Sequence, residues 1–91
     1  MRWVVLTDKL RGIYFGQTSA SDVDHDVTLS HARICFSYTA DAGVGCLAVV
    51  GPGPGSKISP TMPHLSVVDR ANMMECTPEA VETWQAATWA P

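Results

Sequence analysis

The stretch from Gly43 to Ser59, GVGCLAVVGPGPGSKIS, decides the fold because regular structure must stop inside it. An apolar block at 44–50 runs into the loop Gly51–Gly55, whose alternating Gly and Pro fit neither an ordinary helix nor a central strand. The block itself fits a two-turn buried helix and, nearly as well, a core strand, because so short a run does not separate the two by its period. A glycine directly after the block favours a short helix that ends at Gly51.

The sequence before this stretch predicts strands. Trp3–Thr7 is a β-branched apolar run typical of a strand buried on both faces. Ile13–Gln17 predicts a second strand, antiparallel to the first because the link is too short for a crossover. After a polar loop that we expect to be mobile, Asp26–Tyr38 predicts one long strand with a break or bulge near Ser30–Ala32.

The sequence after the glycine-rich loop predicts strands and then a helix. Lys57–Ser59 is expected to form a brief edge strand, and Leu65–Cys76 a last long strand with an irregularity at Asp69–Arg70. Thr77–Glu79 is a strong helix start, with a hydroxyl N-cap, Pro at the first position and an acid in the first turn. The expected core face of that helix consists of Ala80, Val81, Trp84 and Thr88. Beyond it, Trp89 is expected to pack onto the body of the domain.

Composition and pattern together predict one α+β domain over residues 1–91. It is expected to be a bent antiparallel sheet or partial β-barrel of four to five strands, with a short central helix and a C-terminal helix. Apolar residues make up 46% of the chain and charged residues 16%, which excludes a disordered tail. So low a charged fraction fits either a compact monomer or a homo-oligomer that hides part of its surface.

Charge and cysteine content exclude several classes of protein. The net charge of −3 and six scattered basic residues argue against non-specific nucleic-acid binding. No apolar run approaches a membrane helix, and the opening MRWVVLTDKLRG does not read as a signal peptide. Three cysteines in apolar surroundings predict buried, reduced thiols. The expected location is therefore the reducing environment of a cytoplasm.

Four short patterns occur along the chain: VxLxxAR, LAxxG, Ser-(Arg/Lys)-Ile and ECTxEA. They are carried by Val27, Leu29, Ala32, Arg33, Leu47, Ala48, Gly51, Ser56, Lys57, Ile58, Glu75, Cys76, Thr77, Glu79 and Ala80. In this order the patterns resemble a family of small phage and prophage proteins of unassigned function. Members of that family carry Trp in the second half of the long strand, where this chain has Phe36 and Tyr38. The resemblance implies a phage or prophage origin, with the cytoplasm of a bacterial host as the location, and no enzyme class.

The candidate ligand site joins the glycine-rich loop to the long strand. Gly53, Gly55 and Ser56 expose backbone that could cradle a phosphate beside Lys57, although two prolines and the missing helix start favour a structural turn. Arg33 lies mid-strand, where it would either line a concave surface or pair with Asp69 or Glu75. Convergence of Arg33, Lys57 and Tyr38 would suit a small anionic ligand such as a nucleotide.

Other constellations predict no chemistry. Zinc sites need four ligands at characteristic spacings. His25, His31 and Cys35 are only three and do not have these spacings. Nothing in the sequence predicts an activated thiol beyond one helix start, so nucleophilic pairs of His64 with Cys35 or Cys76 are weak. A loop expected to be mobile would not hold an acid and a base in place, which argues against Asp22, Asp24 and Asp26. No catalytic residue, metal or cofactor is therefore expected.

The sequence predicts a non-enzymatic accessory protein that acts by binding. Its expected partners are a second copy of itself and either a host protein or a small anionic nucleotide signal, as in counter-defence. The alternative is a structural or assembly component of the phage particle. An enzyme acting on nucleotides through Arg33 and Lys57 is the least favoured interpretation.

Overall fold

The computed structural model describes residues 1–10, 12–38 and 43–88. In chain order the elements are β1 Arg2–Asp8, β2 Ile13–Thr18, β3 Val27–Ser37, α1 Cys46–Val49, β4 Lys57–Ile58, β5 Met62–Val67, β6 Arg70–Glu75 and α2 Pro78–Ala86. The α+β class and the bent antiparallel sheet are confirmed, with six strands in place of the expected four or five. The predicted position of Trp89 lies outside the described residues. Within the described ranges, no helix is long and apolar enough to cross a membrane.

The sheet curls because the consecutive strands β5 and β6 pair with different parts of it, β5 with β3 and β6 with β1. The strands β6, β1, β2 and β3 lie side by side, and β4 and β5 pair with the other edge of β3. All pairings are antiparallel, so β5 and β6 run in the same direction, yet only Val68 and Asp69 separate them. The β3 and β1 sides must therefore come close together. Among the described strands, β5 and β6 do not pair with each other, and the sheet is not closed into a barrel.

The single long strand expected at Leu65–Cys76 is wrong, because the chain breaks into β5 and β6. Asp69 has a φ of +55°, a left-handed conformation in which strand pairing cannot continue. Its backbone N–H donates to the Asp26 carboxylate at 2.9 Å, which holds the break against the preceding loop. The irregularity predicted at Asp69–Arg70 coincides with this break, where the chain changes its partner strand.

The predicted break in the long strand is confirmed as a bulge. Phe15 pairs with Arg33 and Gln17 with Ser30, so two β3 residues lie opposite Gly16. One of them, His31, has a φ of +50°. The bulge shifts the alternation of β3, so that Val27, Leu29 and Ala32 face one side of the sheet while Arg33 and Cys35 face the other.

The sheet separates two buried clusters. Inside the curl lie Val4, Leu6, Val27, Leu29, Ala32 and Val67. On the other face, under the helices, lie Val5, Phe15, Cys35, Leu47, Ala48, Ile58, Ala80 and Trp84. β1 contributes to both clusters, which confirms its prediction as a strand buried on both faces.

Both predicted helices are present. α1 is a single turn, Cys46–Val49, so the expected second turn was wrong, and Gly51 follows it with a φ of +84°. A side chain there would also collide with α2, since a Cβ would lie 2.6 Å from the Thr83 Cβ. α2 begins as expected, with the Thr77 hydroxyl accepting from the Ala80 N–H at 3.1 Å. Ala80 and Trp84 are fully buried, but Thr88 is exposed beyond the end of the helix, so its place on the core face was wrong.

Candidate functional site

Arg33 is a buried structural residue in this fold. It is 5% exposed, and burial lowers the pKa of its guanidinium. Its Nε donates to the Ser59 carbonyl at 2.8 Å and its Nη1 to the Trp84 carbonyl at 2.7 Å. The Trp84 carbonyl belongs to the last turn of α2, where a cation is favoured by the helix dipole.

The expected ion pair of Arg33 with an acid is therefore wrong. Asp69 pairs instead with Lys9 at 2.8 Å, and Glu75 with Arg2 at 3.3 Å. The reason lies in the bulge of β3, which turns Arg33 towards the helix side of the sheet, where backbone carbonyls take the place of a carboxylate. The face of β3 that carries the aromatic residues is the exposed one: Phe36 is 59% exposed and Tyr38 36%.

The glycine-rich loop forms a turn. The Ser56 N–H donates to the Gly53 carbonyl at 3.2 Å, and Gly55 has a φ of +86° after Pro54, which is the pattern of a type II β-turn. The N–H of Ser56 is thereby used within the loop. This geometry supports the structural interpretation over a phosphate cradle.

A cleft of about 510 Å³ lies between this loop and the end of α2. Its walls include Gly53, Gly55 and Ser56 on one side and Ala86 and Thr88 on the other. The end of α2 carries the negative pole of the helix dipole, which disfavours a phosphate group there. The cleft brings together three of the six residues predicted to bind a ligand.

The other three candidates lie elsewhere. Arg33 is bonded beneath the surface and does not line the cleft. Tyr38 lines a separate cavity of about 410 Å³ with Ile13 and Val44. Lys57 is exposed on the short edge strand β4. The predicted convergence of Arg33, Lys57 and Tyr38 on one ligand is not present in this arrangement.

The cysteines and histidines also lie apart. Burial raises the pKa of the Cys35 thiol to about 11 and that of the Cys76 thiol to about 12, which keeps both protonated at neutral pH. His64 lies opposite Ser30 on the sheet, whereas Cys35 lies opposite Ile58. In the part of the chain that the structure describes, no group of three His, Cys, Asp or Glu side chains is placed to hold a metal ion.

The acidic loop at 19–26 is fastened at both ends, so the expectation of a mobile loop is not supported by its contacts. Arg70 donates from Nε to the Asp24 carbonyl at 2.6 Å and from Nη2 to the Asp22 carbonyl. Arg2 donates to the Asp22 carboxylate at 2.6 Å and to the Ala20 carbonyl at 3.2 Å.

A groove that the sequence analysis missed lies between the start of β1 and the start of α2. It has a volume of about 340 Å³, and its lining residues are Arg2, Trp3, Glu75, Cys76, Pro78 and Val81. The sequence brings its two sides together through the pairing of β1 with β6, in which Val4 lies opposite Glu75. An antiparallel alignment of Arg2–Asp8 with the last strand was the signal that could have found it.

The groove has a rigid aromatic wall and an acidic rim. The indole of Trp3 stacks on Phe15 at 5.1 Å with an interplanar angle of 11°, and Phe15 stacks on Trp84 at 4.9 Å. At the rim, the side chains of Glu75 and Asp22 are 64% and 79% exposed. Arg2 bridges them, and its pKa is raised by the hydrogen bond to Asp22 and then by that to Glu75.

Comparison with known proteins places the chain in a family. The model of a domain of unknown function (DUF6948) matches residues 1–84, and the chain belongs to that family. The expectation of a family without an assigned function is thereby confirmed. No curated protein and no solved structure gives a significant match.

Proposed function

We propose that this chain is a non-enzymatic phage or prophage accessory protein that acts in the cytoplasm of a bacterial host by binding a protein partner. Its blocks VTLSHAR, SKI and ECTPEA support the phage setting, through their resemblance to small phage and prophage proteins. Counter-defence by inhibiting a host protein is the activity that such a setting favours.

The burial of Arg33 is the observation that carries the choice of a protein over a nucleotide. An anion site needs accessible cations or free N–H groups. The guanidinium of Arg33 instead donates to the Ser59 and Trp84 carbonyls. The remaining cleft ends at the negative pole of α2. The negative charge of a phosphate bound there would have to be balanced by Lys57, from its position on β4.

Exposed apolar side chains supply what a protein partner would contact. Phe36 is 59% exposed, and Val49 and Val50, at the end of α1, are 54% and 41% exposed. Exposed aromatic and aliphatic groups are the ones that provide buried area in protein interfaces.

Native mass spectrometry of the protein purified from phage-infected cells tests this proposal. We expect a complex of this chain with one host protein at a fixed ratio. A small anionic adduct, lost in the variant Lys57→Met, would instead support a nucleotide ligand and contradict the proposal. A bare monomer that captures no host protein after cross-linking would also overturn it.

A second candidate, a structural or assembly component of the phage particle, is favoured by the sheet edges. Among the described strands, β5 pairs only with β3 and β6 only with β1, so each has an edge that could add a strand from another copy. In the same spectrum this function predicts a large homo-oligomer. It also predicts that the protein is present in purified virions.

A further inference from the structure

The groove between β1 and α2 combines three features that together define a kind of ligand. Trp3, Pro78 and Val81 give it an apolar wall, and Glu75 stands at its rim. The Trp3 indole is held in place by its stack on Phe15, which continues to the buried Trp84. The groove is therefore a preformed surface, and a ligand that binds it does not have to order the wall.

The charge around the groove is negative. Glu82 is exposed on α2, four residues after Pro78 and thus on the same side of the helix. Together with Glu75 and Asp22 it sets three carboxylates against two guanidinium groups, those of Arg2 and of Arg70, which donates to the Asp22 carbonyl, and one carboxylate is left in excess. These carboxylates would repel an anionic ligand and attract a cationic one.

Arg2 already shows how a guanidinium is held at this rim. It donates from Nη2 to Asp22 at 2.6 Å and from Nη1 to Glu75 at 3.3 Å, and it lies within 3.8 Å of the Met73 sulfur. Its guanidinium therefore meets two carboxylates and a thioether sulfur. A second guanidinium, entering from outside, would find the Glu82 carboxylate for its charge and the Trp3 ring for its apolar stem.

We propose that this groove binds an arginine-bearing segment of a partner protein, with the arginine stem along Trp3 and its head on Glu75 and Glu82. This inference rests on the proposed function and names the chemistry of the partner. A second copy of this chain fits less well, because the net charge is −3 and its bases are largely engaged. Of the basic side chains in the described ranges, Lys57 is the exposed one without an ion pair.

The probe is a short capped peptide with two arginines among alanines and leucines, titrated into the ¹⁵N-labelled full chain. Its matched control replaces both arginines by citrulline, which has the same shape and no charge. We expect the arginine peptide to shift the Trp3 indole N–H signal and the amides of Glu75 and Val81. The citrulline peptide should bind at least several-fold more weakly, since each exposed charge pair accounts for roughly a two- to five-fold change.

Two variants test the rim, and one tests non-specific charge. Glu75→Gln and Glu82→Gln should each weaken binding of the arginine peptide roughly two- to five-fold. Asp69→Asn removes the same unit of charge at the β5–β6 break, at a distance of roughly 17 Å measured along β1. This variant should leave the affinity unchanged.

Three results would overturn the inference. They are equal binding of the citrulline peptide, an equal loss of affinity in Asp69→Asn, and shifts that map away from Trp3. Failure of the proposed function itself looks different, since it is the absence of any protein partner in the native spectrum. A host complex that survives Glu75→Gln and Glu82→Gln would retain the proposed function and remove it from this groove.

Discussion

Replacement of Arg33 by methionine should destabilise the fold, because the side chain holds together three distant parts of the chain. The guanidinium joins β3 to the residue after β4 and to the last turn of α2. A hydrogen bond from a charged donor contributes about 1.5–3 kcal/mol, and a buried carbonyl left without its donor costs about 1–3 kcal/mol. Relief of the desolvation that lowers the Arg33 pKa offsets part of this loss. We expect a net decrease of about 2–4 kcal/mol in the free energy of unfolding.

Urea unfolding and thermal melts of Arg33→Met, Arg33→Lys and Lys57→Met test this expectation. At about 4–8 °C per kcal/mol for a domain of this size, Arg33→Met should melt roughly 8–32 °C below the parent protein. The melting temperature of Arg33→Lys should lie between those of the parent protein and of Arg33→Met, since one ammonium group lacks the planar fork that reaches both carbonyls. Lys57→Met removes the same charge from an exposed position and should stay within about 0.5 kcal/mol of the parent.

The opposite pattern would refute the structural role. If Arg33→Met unfolds at the same urea concentration as Lys57→Met and also loses affinity for an anionic ligand, then Arg33 is accessible and binds that ligand. The sequence-based site of Arg33 with Lys57 would then be correct, and the pair of carbonyl contacts would not describe the native state.

Three further changes have definite expected outcomes. Gly16→Ala should lower the free energy of unfolding by about 1–3 kcal/mol in urea titrations, because a Cβ there would lie 2.8 Å from a β3 side chain. Hydrogen bonds from the Tyr14 hydroxyl and then the Gly12 N–H lower the pKa of Asp8 from 3.8, so this group stabilises the fold above that pH. The stabilisation disappears as the pH falls through the lower folded pKa, and the urea midpoints of the parent and Asp8→Asn should therefore converge at low pH. Alkylation of native protein at neutral pH, followed by mass spectrometry, should leave Cys35 and Cys76 largely unmodified, since burial raises their pKa values; rapid labelling of either would contradict the packing.

Features with a local cause could be predicted from the sequence. Thr77 caps α2 through a bond to Ala80, only three residues away, and Gly51 ends α1 within one turn. The bulge in β3 left a visible break in the alternation of polar and apolar residues around His31. The two caps join groups within a few residues, and the bulge interrupts the alternation within β3 itself, so the pattern of residue types contains the necessary information.

Features that join distant segments could not be predicted in the same way. The residues of Leu65–Cys76 are suitable for a strand throughout, but the partner changes from β3 to β1 at Asp69, and that choice depends on where the curl brings the edges. The groove at Trp3 has the same origin, since it exists only once β6 lies beside β1. Strand pairing thus created a site with no sequence motif of its own.

The contacts of the basic side chains are also set by distant segments, and they bear on the proposed function. A sequence pattern shows which side chains are cationic but not which acceptors the fold will place beside them. Here Arg33 donates hydrogen bonds to carbonyls 26 and 51 residues away, and Arg70 donates to carbonyls of the acidic loop. Arg2 and Lys9 are matched by carboxylates. Folding thus engages these cations internally, whereas Glu82 stays exposed on α2. Of the two ligand classes that the sequence predicted, a host protein and a small anionic nucleotide, this arrangement supports our proposal of a protein partner with basic side chains.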